Sequence, residues 1–266
     1  MVSAMVEVQP RALIVTVYGL YARDHGGWLP VAGLVRALAR LGVDEPAVRS
    51  AISRLKRREL LAPARRGGIA GYELTTAGGE ILREGDERNF APAPGGGGWL
   101  LAVFSVPEAE RAKRHTLRSR LSALGFGSAA PGVWVAPAHR YDAARALLVR
   151  LGLASYVDLF RADYLAFGDL AGVIKNWWDL DAIRAGYDDF IARWERCASG
   201  ESEFATWVRA VTDWRRLPYL DPGLPADLLP PDWPGARAAS LFAELRAGHA
   251  GPATEQAEAL LYGSTA

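Results

Sequence analysis

The sequence predicts an α+β chain, and three observations carry that prediction. The first 90 residues place apolar side chains at helical spacing and close on a hairpin signal with paired glycines. After the run PAPGGGG at 92–98, short apolar strands alternate with amphipathic helices. From Trp177 onward the pattern is helical and rich in tryptophan; seven of the nine Trp residues lie after residue 130.

Each element follows from local chemistry. PRALIVTVYGLYAR is apolar at 13, 14, 17, 18, 20 and 21, which predicts a buried helix ending at Asp24-His25-Gly26-Gly27. VAGLVRALARLG repeats apolar residues at 31, 34, 35, 38 and 41 and stops at Gly42. Asp44 is placed to cap a third helix, with Glu45 and Pro46 in its first turn. LLAPARRGGIAGYELT reads as two strands around Arg65-Arg66-Gly67-Gly68, and Thr75 or Thr76 can cap a helix through Glu84. Beyond the proline and glycine run, WLLAVFSV, GVWVAP and VDLFRADYLAF predict strands, and EAERAKRHTLRSRLSALG and YDAARALLVRLG predict helices; GFGSAA has room for a further strand, while its glycines read as a turn. Leu180, Ile183, Tyr187, Phe190, Ile191 and Trp194 form one later apolar face. Phe204, Trp207, Val208, Val211 and Trp214 form another, ended by Pro218. Two further helices are expected at 236–247 and 253–262.

Bulk properties set the class. Half of the 266 residues are apolar and 23% are charged, as in globular domains, and the length suggests two or three of them. A single cysteine, Cys197, excludes an internal disulfide framework and suits a reducing compartment. LIVTVYGLY has charged flanks and no apolar run approaches the roughly 20 residues that span a bilayer, so a soluble cytoplasmic protein with no membrane partner is expected.

The formal net charge of +1 conceals an asymmetry. Residues 1–98 carry 13 basic and 10 acidic side chains, residues 99–170 carry 9 and 6, and residues 171–266 carry 9 and 14. Within 49–66 there are seven basic residues against Glu59 alone. On a helical wheel Val48, Ala51, Ile52 and Leu55 share one side. Ser50, Ser53 and Arg57 lie opposite, Arg49, Arg54 and Lys56 lie on the flanks, and Arg58 turns toward the apolar side. Small serines allow close approach to a groove, and arginine bonds bidentately to guanine edges and phosphates.

Two helices, a basic third helix and a hairpin tipped by Arg65 and Arg66 make a winged helix-turn-helix order. Arg49, Ser50, Ser53, Arg54 and Arg57 are expected to face the major groove of double-stranded operator DNA, with Lys56, Arg65 and Arg66 on phosphates. The expected division is a DNA-binding domain at 1–91, a Pro/Gly linker at 92–98, a ferredoxin-like βαββαβ domain at 99–170 and a mainly helical domain at 171–266.

Over residues 10–260 the chain resembles the PaaX family of bacterial repressors. The segments that carry the resemblance are LIVTVYGLY, Gly26-Gly27-Trp28, AVRSAISRLKRREL and the central WLLAVFSVPEAERAKRHTLRSRLSALGFGSAAPGVWVAP. In the C-terminal third they are WWDLDAIRAGYDDF and LPYLDPGLPADLLPPDWPGARAASLFAEL. The resemblance implies a homodimeric transcriptional repressor of phenylacetate-type catabolism. It also implies release from the operator by an aryl-acyl-CoA inducer, typically phenylacetyl-CoA, and no bound cofactor.

A CoA thioester needs cations for its phosphates and an apolar slot for its acyl group. Arg111, Lys113, Arg114, Arg118 and Arg120 are the densest cations outside the reader, and the consecutive Trp177 and Trp178 cannot both face one core. Arg111, Arg114, Arg118, Trp177 and Trp178 are therefore the effector candidates, although the basic run can equally hold DNA backbone. The central segment also resembles the small CRISPR-associated endoribonuclease fold. Where those enzymes place an acidic metal ligand, this chain has Ser105, with Glu108 the nearest acid, so metal-assisted nuclease chemistry has no ligand set. His25, His115, His139 and His249 are scattered, and no catalytic motif is present, so neither a metal site nor an enzyme is expected. A DNA-binding or assembly module without a small-molecule sensor is the alternative, and a metal-dependent nuclease of the central fold is the third reading.

Overall fold

The computed structural model describes residues 9–90, 97–165, 167–196 and 201–263, and of 87–90 the backbone only. It is an α+β structure with two antiparallel sheets. The expected linker falls outside the described residues except for Gly97 and Gly98, as does Cys197. The described residues form two compact units. The first draws on Met1–Asn89, Ala192–Arg215 and Ala239–Ala266, and the second on Phe90–Ile191 and Arg216–Ala238. Segment 171–266 is thus shared between the two units.

The first unit begins with helices α1 (Pro10–Tyr21), α2 (Val31–Arg40) and α3 (Glu45–Arg57), and strand β1 (Trp28–Pro30) precedes α2. Strands β2 (Leu61–Arg66) and β3 (Ile69–Leu74) make the hairpin, and α4 (Thr76–Phe90) follows. Asp44 caps α3 as expected, its Oδ1 accepting from Ala47 N at 2.7 Å. Gly67 and Gly68 take positive φ at the hairpin turn, and Thr75 caps α4 through Gly78 N at 3.0 Å. The sheet order is β1-β3-β2. Strand β1 escapes sequence analysis because three residues, one of them proline, are too few to show an alternation.

α3 ends in a Schellman motif. Leu60 N donates to Leu55 O at 3.0 Å and Glu59 N to Lys56 O at 2.8 Å, with Glu59 in the left-handed region at φ 57°. Glutamate occupies a position that glycine fills without steric cost.

Helices α9 (Glu203–Trp214) and α11 (Gly235–Tyr262) complete this unit. Thr212 Oγ1 donates to Thr16 Oγ1 at 2.8 Å, whose own hydroxyl donates to Ala12 O at 3.1 Å, and Arg215 reaches the same carbonyl. Trp207 and Trp214 stack on Phe242 of α11 with ring centres 5.6 and 4.6 Å away. α11 is one helix, not the expected two. Pro252 lacks the N–H that would bond residue 248, yet Ala238, Leu241, Phe242, Leu245, Ala253, Ala257 and Leu261 are buried on both sides of it, and this packing outweighs the lost bond. Near its end α11 lies against α2. A Cβ on Gly33 would fall 2.0 Å from Leu261 O, and Arg36 donates to Leu260 O at 3.0 Å and Gly263 O at 2.8 Å.

The second unit holds strands β4 (Trp99–Phe104), β5 (Gly127–Ala130), β6 (Val133–Pro137) and β7 (Val157–Ala162), in the order β5-β6-β4-β7. Helix α5 (Arg111–Ala123) joins β4 to β5, and α6 (Tyr141–Arg150) joins β6 to β7. Leu117 and Leu121 of α5 and Ala144, Leu147 and Leu148 of α6 share one core with Leu100, Ala102, Trp134 and Ala136, so both helices cover the same sheet face. Helix α7 (Leu170–Trp177), the first part of α8 (Leu180–Trp194), α10 (Leu217–Leu220) and the start of α11 complete this unit. Among the described residues no helix is long and apolar enough to cross a membrane.

Two stability predictions follow from backbone geometry. Glu59→Gly should raise stability by about 0.5–1 kcal/mol by relieving the left-handed conformation, read as a higher denaturation midpoint. Gly33→Ala should lower it by about 1–3 kcal/mol, because the added methyl meets backbone that cannot rotate away; an unchanged midpoint would refute the close packing of α2 on α11.

Candidate nucleic-acid interface

The interface is built from α3 outward. Val48, Ala51, Ile52 and Leu55 are buried, which turns the opposite side of the helix to solvent. Arg49, Ser50, Ser53, Arg54, Lys56 and Arg57 are all exposed, as the wheel predicts. Their electrostatic situations differ. Arg49 Nε donates to Glu45 Oε1 at 2.7 Å in an i,i+4 pair, so part of its charge is neutralised within the helix. Lys56 lies 5.8 Å from the Tyr72 ring centre. Arg54 and Arg57 have no side-chain partner among the described residues, which leaves their guanidinium donors available.

Arg58 departs from the wheel. The helix ends at Arg57, so residue 58 leaves the helical path (φ −94°, ψ 8°), and its side chain is exposed rather than turned to the apolar side. It is a cation that sequence reasoning discarded. No local signal marked it, because glutamate stands at position 59, where the left-handed residue that ends a helix is usually glycine.

The hairpin arginines, equivalent in the sequence, also separate. Arg65 donates to Gly68 O across the turn at 3.1 Å. Arg66 points to the hairpin's base, donating to His25 O at 2.8 Å and Gly26 O at 3.1 Å, with its guanidinium 5.5 Å from the Trp28 ring centre and 3.6 Å from Glu73. Successive strand residues point to opposite faces, which explains the split. Arg66 thus ties the hairpin to the 23–27 turn. The hairpin is also anchored from α1, where the Tyr18 hydroxyl donates to Tyr72 O at 3.0 Å, and burial, then Tyr262 and Tyr72, push its pKa far above the usual tyrosine range.

The effector candidates do not form one group. Arg111 and Arg118 are exposed on α5, while Arg114 donates to Val106 O at 2.7 Å and pairs with Glu108 at 3.0 Å. Trp177 and Trp178 instead gather around Trp99, with ring centres 5.8 and 6.1 Å away. Trp178 is buried and its Nε1 donates to Gly125 O at 3.0 Å. Trp99 alternates with Leu100 on β4, so the tryptophans lie on the sheet face opposite α5. At the end of β4, Ser105 N donates to Tyr156 O, and Glu108 is engaged by Arg114. Among the described residues no three His, Cys, Asp or Glu side chains group as a metal site.

Three family models match in succession: the PaaX-like protein at residues 9–78, the PaaX protein central Cas2-like domain at 92–174 and the PaaX-like protein C-terminal domain at 178–259. The chain belongs to the PaaX family. Among PaaX relatives, the transcriptional repressor PaaX of Escherichia coli (strain K12) is 28% identical over 251 residues, covering 89% of this chain and 79% of that protein. The fold is shared with the uncharacterized protein Rv0674 from Mycobacterium tuberculosis, with a TM-score of 0.65 at 22% identity, over 96% of this chain and 99% of that one.

Arg57→Ala should weaken duplex binding by about 1–3 kcal/mol if Arg57 touches a base edge, measured by fluorescence anisotropy at fixed salt. Arg66→Lys keeps the charge but replaces two separate donor nitrogens with one, so it should lower the denaturation midpoint and leave the salt dependence of duplex binding unchanged; a flattened salt dependence at an unchanged midpoint would make Arg66 a phosphate contact.

Proposed function

We propose that this PaaX-family chain is a DNA-binding transcriptional repressor rather than an enzyme. In this reading it controls an aromatic-acid, phenylacetate-type catabolic operon, and an aryl-acyl-CoA such as phenylacetyl-CoA releases it. The observation that carries the reading is the exposed polar side of α3, where Arg54 and Arg57, beside Ser50 and Ser53, have no partner among the described residues. The likeness to a named repressor over 89% of the chain supports it.

The three helices and the β2–β3 hairpin act here as a winged helix, with α3 in the major groove and Arg65 at the wing. The sheet order β5-β6-β4-β7, with both crossover helices on one face, supports a ferredoxin-like reading of the second unit. A homodimer would present two α3 helices to half-sites about a helical turn or more apart. Inducer binding would then favour a dimer geometry that no longer fits that spacing.

One observation favours a module without a sensor: Arg111 and Arg118 lie on the opposite sheet face from Trp177 and Trp178, so they cannot together line one acyl-CoA pocket. A gel shift on DNA upstream of the chain's own gene decides between the readings. The repressor reading expects a retarded band that weakens steeply with salt, and that phenylacetyl-CoA, but not free CoA, dissolves. Failure of every aryl-CoA tested would leave the sensor-free module.

A further inference from the structure

We infer that the helical face of the four-stranded unit is a second phosphate-binding surface, whose partner is double-stranded DNA backbone beyond the bases read by α3. The inference rests on the reading that the chain binds DNA. Residues 108–150 carry eight basic side chains against three acidic ones. The two acids that enter α5 are already engaged, Glu108 by Arg114 at 3.0 Å and Glu110 by Lys113 at 3.0 Å. Lys113 also donates to the Tyr156 hydroxyl at 2.8 Å, and these bonds, that to Tyr156 first, hold its ammonium above the usual lysine range. Arg111, Arg118 and Arg120 on α5, and Arg145 on α6, are exposed and have no partner among the described residues.

The helix geometry orders these charges. Leu117 and Leu121 point α5 into the core. Arg111 and Arg118, seven residues or about 10 Å apart along the axis, occupy one shoulder, and Arg120 occupies the other. Ala112, His115, Ser119 and Ser122 form the ridge between them. Such a layer repels itself, and a polyanion that releases its counterions on binding removes that cost. A small acyl-CoA suits it less well, because the aromatic cluster that could hold an acyl group lies on the other sheet face. Arginines on the shoulders of a solvent-facing helix match phosphate positioning rather than base readout.

The test uses the full chain and a fluorescein-labelled 60-base-pair duplex of mixed sequence, titrated over a range of NaCl concentrations. The triple variant R111Q/R118Q/R120Q is expected to flatten the slope of log K against log salt by about 2–3 for each subunit bound, because each lost phosphate contact removes about 0.9. R118Q alone should flatten it by about 1 for each subunit bound, which keeps the test valid if the triple variant folds poorly. An unchanged slope, while R54Q/R57Q still weakens binding, would overturn the second surface and leave the reader intact. Loss of binding to free CoA by the triple variant with an unchanged DNA slope would overturn it too, by assigning these cations to a small ligand. If the unsubstituted chain binds no duplex at any salt, the DNA reading itself falls.

Discussion

The first unit depends on a missing side chain. Gly33 lets the carbonyl of Leu261 sit where any other residue would place its Cβ, and Arg36 then binds the carbonyls of Leu260 and Gly263. A helix C-terminus leaves its last carbonyls without intrahelical partners, and a cation nearby also complements the helix dipole. The same few atoms therefore satisfy the end of α11 and fix α2, the helix before α3. The Tyr262 hydroxyl donates to Trp28 O at 3.2 Å, and His25 packs 4.2 Å from the Tyr262 ring while bonding Glu258 at 2.8 Å. The turn that receives Arg66 from the hairpin is thus braced by α11 from the other side.

Much of this was open to sequence reasoning, and the exceptions share a cause. The α3 stripe, its Asp44 cap and the Gly67-Gly68 turn depend on neighbours within a few residues, and each stands where local rules place it. Local rules failed where distant packing outweighs them. Pro252 reads as a break, but the buried stripe of α11 continues through it. The three residues of β1 have too little pattern to announce a strand whose partner, β3, begins about 40 residues later. Arg65 and Arg66 look identical until the strand sets one across the turn and the other against the 23–27 carbonyls. Sequence reasoning placed the cations on the right side of α3 but did not show that Arg49 is spent on Glu45 and that Arg58 is not turned inward.

The second unit sorts its side chains by sheet face. One face receives α5 and α6 and a hydrophobic core, with arginines carried outward on the helices. The other gathers Trp99, Trp177, Trp178 and Tyr164 into edge-on and tilted ring contacts. Gly127 makes that gathering possible, since a Cβ there would fall 2.6 Å from Trp177 O and 2.7 Å from the Trp178 ring. Charge and aromatic surface, grouped as one ligand set by composition, are divided by the two-residue alternation of a strand.

The contact between Arg36 and Leu260 joins positions 224 residues apart. Closing a chain segment of that length costs about 3 kcal/mol more than closing one of ten residues, and ribosomes add residues at roughly 5–20 per second. The brace on α2 is therefore absent while α1, α2 and α3 leave the ribosome, and it forms only after the whole intervening sequence has been made. A nascent chain carries every cation of α3 and the hairpin before it carries the helix that steadies them. Assembly order thus separates having the exposed charges of α3 from holding them in register.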